Sequence, residues 1–298
     1  MAIADSIEDR MLLRDRLLAR LAGMGASPDY VALAAEVLGI RHAPPALAKR
    51  LVDQALVVED RREAWLRTGE RICADAPDAP GVYVLRDAEG RALYVGKANN
   101  IRRRLRTHFA ARRWRHLKPA FARAQRGEWQ VVGSEIEALL REAQLIRDLQ
   151  PVANVQVGAP SLETRAVPEA VMRDTIVVLP SADADAAELL GARVDGGVLL
   201  VRVGRAGKGL AARIALLRRF FGDAARGAGA GGTAAFDGLA PLVFSWIAGR
   251  GHAASRLDPH DVTSGRDLER RVKMLLDDDQ LFTERIVVIR SVVPSTRP

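Results

Sequence analysis

Apolar positions in the first seventy residues fall at helical spacings. Ile7, Met11, Leu17, Leu18 and Leu21 lead to a break at Gly23-Met24-Gly25. Ser27 followed by Pro28 predicts an N-cap and a proline in the first helical turn. The helix it opens runs through Val31, Leu33, Ala34 and Val37 and stops at Gly39. A third helix follows Pro44-Pro45 and carries Leu47, Leu51 and Leu56. Two short helices joined by a turn have the outline of a helix-turn-helix, but helical bundles are built the same way. Residues 1–73 are therefore expected to be an accessory helical domain.

Small residues and two prolines between Ala74 and Pro80 end that pattern and mark a boundary. Gly81 to Leu85 and Arg91 to Val95 are β-branched and aromatic runs separated by Asp87-Ala88-Glu89-Gly90, the signature of a β-hairpin. A helix is predicted from near Asn99-Asn100, with Ile101, Leu105 and Phe109 four apart. Trp129 to Val132 reads as another strand. Ser134 and Glu137 then form a capping box for a helix that Pro151 closes. This order of strand, strand, helix, strand, helix defines a second domain at 74–158.

Beyond it, Thr175 to Leu179 and Gly197 to Val203 read as strands, and Leu210 to Phe221 as a basic helix. Gly222 to Gly238 reads as a loop, Leu268 to Leu276 as a helix and Ile286 to Ile289 as a strand. Residues 159–298 are thus expected to be an α/β-like region of unknown role. The whole chain is expected to be α+β, with a short antiparallel sheet flanked by helices at its centre.

Composition narrows the classes. The 298 residues are 48% hydrophobic and 28% charged, ordinary for a folded chain. The best apolar run, Val198 to Val201, is far short of the roughly 18 to 20 residues of a membrane helix. The first ten residues lack the basic and apolar segments of a secretory signal, so a cytoplasmic protein without membrane contact is expected. A single cysteine, Cys73, excludes an internal disulfide and a multi-thiolate metal site. Any metal is expected to be held by oxygen or nitrogen.

The net charge of +8 is unevenly spread: Arg91 to Arg126 holds twelve cations and no acid. Such a run repels itself unless something anionic meets it, which points to nucleic acid. Within it, Arg104 and His108 are four apart and project from one helix face; one suits a phosphate oxygen and the other a proton transfer near neutral pH. Glu142 borders the apolar face of the later helix, next to Leu139, Ile146 and Leu149. As a lone carboxylate it suits a hard divalent cation. Glu137 points towards Arg141 and is explained by capping. Gly204 to Gly209 lacks the spacing of a phosphate-binding loop, and His252 and His260 lack a partner for zinc.

Pro80-Gly81-Val82-Tyr83, the run Tyr94-Val95-Gly96-Lys97 to Leu105, the run Glu137 to Ile146, and Gln150 to Asn154 stand in a recognisable order. Over roughly residues 78–156 they resemble the GIY-YIG nuclease superfamily, and most closely the N-terminal nuclease module of the bacterial UvrC-like excinucleases. The resemblance implies a catalytic arginine at Arg104 and a metal-binding glutamate at Glu142. It implies a general base at Tyr94, supported by Tyr83, and a buttressing asparagine at Asn154. His108 stands where that module usually has tyrosine. An unperturbed phenol, with a pKa near 10, is a poor base at neutral pH. Tyr94 would therefore need a cation nearby, from Lys97, Arg104 or the metal.

The resulting expectation is a Mg²⁺-dependent DNA endonuclease, with Mn²⁺ as the alternative ion, that nicks one strand in repair or in processing branched or damaged DNA. Its catalytic residues would be Tyr94, Arg104, His108, Glu142 and Tyr83. DNA contacts would come from Lys97, Arg102, Arg103, Arg106, Arg112, Arg113 and Asn154, and repair proteins would be further partners. The rival readings are a nucleic-acid-binding protein with a vestigial nuclease core and a selfish or restriction-type endonuclease.

Overall fold

The computed structural model describes residues 13–25, 27–110, 119–157, 167–222, 236–249 and 251–278. Ile7, Met11, Arg112, Arg113, the Gly/Ala-rich stretch 223–235 and the strand expected at Ile286 to Ile289 lie outside them. The chain divides into two compact units, Met1–Arg71 with His108–His116, and Ile72–Thr107 with Leu117–Pro298.

The first unit holds helices α1 (Leu13–Gly23), α2 (Tyr30–Glu36) and most of α3 (Pro45–Asp75). Leu17, Leu33 and Val52 form one buried cluster, and Ala34, Ala43 and Ala48 another. The cap of α2 is Asp29 rather than Ser27. Its Oδ1 accepts from the backbone N–H groups of Val31 and Ala32, both at 3.0 Å, so the helix starts two residues later than the proline suggests. Helix α3 is 31 residues long and tolerates Gly69 in its interior. A Cβ at Gly69 would sit 2.5 Å from the Phe109 ring, which packs on Trp65 at 5.2 Å between centroids.

The second unit opens with a hairpin, β1 (Gly81–Arg86) and β2 (Ala92–Ala98), followed by α4 (Ile101–His108), α5 (Pro119–Ala122), β3 (Arg126–Val131), α6 (Glu135–Leu149) and α7 (Val152–Val157). The three strands form an antiparallel sheet in the order β2-β1-β3. Gly90 takes the left-handed turn, with φ 84°, and Asp87 accepts from the Arg91 N–H at 2.8 Å.

A second antiparallel sheet, in the order β6-β5-β4-β7, follows: β4 (Thr175–Pro180), β5 (Ala186–Ala192), β6 (Val198–Gly204) and, after α8 (Leu210–Phe221) and α9 (Ala240–Ala248), β7 (Arg256–Leu257). Helices α8 and α10 (Gly265–Leu276) cover one face of it. The sequence does not announce β5, because Ala-Ala-Glu-Leu-Leu-Gly-Ala favours a helix. Pairing on both sides overrides that preference.

Helix α6 lies between the two sheets. Ser134 Oγ accepts from the Glu137 N–H at 3.3 Å, as the capping box predicts, but the Glu137 carboxylate returns to the Gly133 N–H rather than to Ser134. The helix ends at left-handed Gln150, φ 44°, just before Pro151. Ala138 packs with Val82 of the first sheet and with Val132 just past the end of β3, while Leu145, Ile146 and Leu149 cover Val84 and Val95. Ile136 and Leu140 share a core with Val177, Leu179 and Leu190 of the second sheet and with Phe244 and Trp246 of α9. At Gly133 the two layers touch, where a Cβ would lie 2.2 Å from the Pro180 carbonyl oxygen. Residues on both sides of position 158 therefore build one core.

Leu140 is fully buried in that shared core. Leu140→Ala is expected to lower the unfolding free energy by about 2–5 kcal/mol, read by denaturant titration, because the two flanking sheets cannot both collapse into the space left.

Candidate active site in the hairpin domain

The hairpin register places the phenols. Tyr83 is paired with Gly96 and Leu85 with Tyr94, so Tyr83 and Tyr94 are diagonal neighbours, with ring centroids 5.9 Å apart. Gly96 makes this approach possible, since a Cβ there would lie 2.8 Å from the Tyr83 hydroxyl oxygen and 2.8 Å from the Tyr94 ring. Phe121 of α5 packs on Tyr94, 4.9 Å between centroids.

Asn100 caps α4, accepting from the Arg103 N–H at 2.8 Å, and so aims the first turn at the hairpin. One turn in, Arg104 hydrogen-bonds both phenols. Its Nε is buried and makes no hydrogen bond, a donor unmatched by any acceptor of the protein. Burial pushes the Tyr83 hydroxyl well above the ordinary phenol value, and Tyr94 adds to this against the opposing pull of Arg104. Tyr94 is raised by burial first and by the Glu142 charge second, again against Arg104. Both phenols are therefore protonated in the resting site.

On the far side of β2, α6 brings Glu142 to Lys97, Nζ to Oε2 3.1 Å, with both side chains about one-fifth exposed. Among the described residues no cluster of three His, Cys, Asp or Glu side chains could hold a metal. A single carboxylate is nevertheless what a small hard divalent cation uses when water and substrate phosphate complete its shell, so Glu142 fits that role. Lys97, Arg103 and Arg104 line an open pocket of about 180 Å³ with Ala98, Asn99, Asn100 and Thr107.

Two expected DNA contacts are engaged inside the protein. Asn154 is buried and spends both ends of its amide on Val95, accepting from its N–H at 2.8 Å and donating to its carbonyl at 3.0 Å. It pairs with the outer edge of β2 as a further strand would, so it positions the hairpin instead of reaching DNA. Arg102 donates through Nε to the Ala76 carbonyl at 2.7 Å and pairs with Asp78. Arg103 and Arg106 are exposed. His108 is the last residue of α4 and belongs to the first unit, whereas Arg104 belongs to the second. Sequence reasoning missed the Phe121 contact and the Lys97–Glu142 pair, which join segments far apart in the chain.

A GIY-YIG domain is defined by these features. Residues 79–155 match the model of the UvrC-like GIY-YIG domain, and this segment of the chain belongs to that family. Curated relatives named UvrABC system protein C include one from Saccharopolyspora erythraea, 45% identical over 82 residues, and one from Desulforudis audaxviator, 43% identical over 79. These cover 27% and 26% of this chain but only 11% and 13% of the relatives, so the chain spans about an eighth of their length. A crystal structure of the GIY-YIG N-terminal endonuclease domain of UvrC from Thermotoga maritima, bound to magnesium, is 31% identical. It covers 29% of this chain and 94% of its own, with a TM-score of 0.24.

Asn154→Ala is expected to lower the melting temperature. It leaves the Val95 N–H and carbonyl without their partner, at about 1–3 kcal/mol for each group that stays buried. Asn154→Asp, which sets a buried carboxylate oxygen against the Val95 carbonyl, should melt no higher than Asn154→Ala at neutral pH.

Proposed function

We propose that the chain is a divalent-metal-dependent endonuclease that hydrolyses one strand of DNA, with Mg²⁺ as the ion and excision repair as the setting. The observation that carries the reading is the convergence of Arg104 on two phenols in the hairpin domain, with Lys97 of β2 paired to Glu142 of α6. The family match of residues 79–155 and the names of the curated relatives support it.

Each residue has a share in cleaving a phosphodiester. Arg104, which lines the open pocket, would donate through its guanidinium to a non-bridging oxygen and stabilise the charge that grows there in the transition state. Lys97 and Arg103 would seat the flanking phosphates in the pocket they line. Tyr94, once its own proton has passed to solvent, would accept the proton of the attacking water as the phenolate, while Tyr83 and Arg104 donate to its oxygen. Glu142 would hold the cation, whose chemistry is to neutralise phosphate charge and lower the pKa of water. Glu142 would raise Tyr94 less once its charge is shared with a bound cation, which would favour the phenolate.

Removing the carboxylate separates this reading from a vestigial nuclease. Glu142→Ala should lose about a hundredfold or more in nicking of supercoiled plasmid with Mg²⁺ or Mn²⁺, and chelator should silence the wild type. Full-rate cutting by that variant would overturn the assignment.

The pH profile tests the base. Because Tyr94 is raised above its ordinary value near 10, its phenolate fraction grows about tenfold per pH unit through the neutral range. The rate should climb with slope near 1 from pH 7 to 9, and Tyr94→Phe should be slow and flat. A rate that does not change over that range would overturn Tyr94 as the base.

Gly96→Ala forces the two phenols apart by its methyl group, so kcat is expected to fall about a hundredfold with little change in KM, a split read from steady-state kinetics.

A further inference from the structure

The charge of the carboxyl-terminal region plays no part in the site described above. Between Val203 and Gly222 the chain carries Arg205, Lys208, Arg213, Arg218 and Arg219 and no acid. Lys208 lies in the turn before α8, and the last three lie on α8 itself. Lys208, Arg213, Arg218 and Arg219 are all exposed.

Their arrangement follows from how α8 packs. Leu210, Ile214, Leu217, Phe220 and Phe221 are buried against the second sheet, which turns the opposite arc to solvent. At 100° per residue, Arg218 borders the buried stripe on one side, Arg213 falls just inside its other edge between Phe220 and Leu217 yet stays exposed, and Arg219 lies on the outward side. Between them the outward arc is made of Ala211, Ala212 and Ala215, all exposed. Cations on the flanks with methyl groups between them let a large polyanion come close to the helix. The adjacent helix α10 treats its cations differently, since Arg270 and Arg271 are both paired with Asp267.

The patch connects with the hairpin domain. Arg205 lines a cleft of about 270 Å³ whose other walls include Pro80, Val132, Gly133 and Ser181. Asp183 also lines it and accepts from the Asp185 N–H at 3.0 Å. The neighbouring wall residue Ala79 accepts from the N–H of Ile101, the first residue of α4, at 3.0 Å. The cleft thus runs from the base of the helix that carries Arg103 and Arg104 to the turn that opens α8.

We propose that α8 and the turn before it form a second binding surface for the DNA backbone, which holds the duplex beside the cutting site through phosphate contacts without reading its bases. The partner rests on the nuclease reading above. The surface itself rests on the acid-free run, its exposure on a packed helix and its continuity with the cleft.

The test is Lys208→Glu/Arg213→Glu/Arg219→Glu in the full chain, three exposed positions outside the core, with circular dichroism to confirm the fold. Binding to a 30-base-pair duplex is followed by fluorescence anisotropy over a range of KCl with chelator present, so that binding is read without cutting. The slope of log K against log salt should fall by about 0.9 for each phosphate no longer neutralised, up to roughly 3 for the triple variant. Affinity at low salt should drop at least tenfold, and Lys208→Arg/Arg213→Lys/Arg219→Lys should bind as the wild type does. An unchanged slope and affinity in the charge-reversed protein would overturn the surface, as would a stronger preference for an acidic peptide competitor than for duplex DNA. The two proposals fail separately. A protein that never cuts but loses binding in the triple variant keeps the surface and loses the nuclease. One that cuts and binds unchanged in the triple variant keeps the nuclease and loses the surface.

Discussion

Helix α6 is apolar on two sides, and the position of the site depends on that. One side fits against the hairpin through Ala138, Leu145 and Leu149, and the other enters the core of the second sheet through Ile136 and Leu140. A helix packed on one side can shift along its groove at small cost. One gripped on both sides has its axial position and rotation fixed by close packing. Glu142 lies near the middle of this helix, so its height beside β2, and with it the pairing to Lys97, is set by contacts made elsewhere. The carboxyl-terminal sheet is therefore part of what positions the lone carboxylate, even though it contributes no residue to the pocket that holds Arg104.

The opposite wall is set by space. Tyr83, Tyr94 and Arg104 crowd together because position 96 has no side chain and because Asn154 holds the β2 edge by its backbone at Val95. Burying two phenols beside a guanidinium keeps them neutral in the resting state, since desolvation outweighs the nearby positive charge at both. The charges around Tyr94 also oppose one another, with Glu142 raising it and Arg104 lowering it.

How much of this the sequence shows depends on the range of the interaction. The hairpin, the α6 cap at Ser134 and the stop at Gln150-Pro151 are local, and they stand where turn and cap chemistry places them. The α2 cap is local too, but Ser27 and Asp29 are both good caps, and spacing alone does not choose between them. Strand β5 has a helical composition and becomes a strand only through its two neighbours. The edge-capping role of Asn154 spans 59 residues of sequence, and no periodicity foretells it. The domain at residues 79–155 is legible for a different reason. Its close contacts need particular residues at fixed places, Gly96 under the phenols and Arg104 one turn into α4, and such requirements leave a mark in the sequence that general apolar burial does not.

Charge shows the same limit. Along the chain, Arg91 to Arg126 is a run of cations with no acid to balance it. In the fold, acids from outside the run come to it: Asp87 and Glu89 to Arg91, Asp78 to Arg102, and Glu142 to Lys97. The run is thus partly neutralised, and its exposed remainder on α4 includes Arg103 and Arg106. The shorter run from Arg205 to Arg219 lies on a helix and the turn before it, neither of which contains an acid, so fewer cations leave a comparable exposed charge. Counting residues along the sequence ranks the first segment far above the second. What a polyanion meets is the charge left after folding has paired what it can, and by that measure the carboxyl-terminal helix stands beside α4.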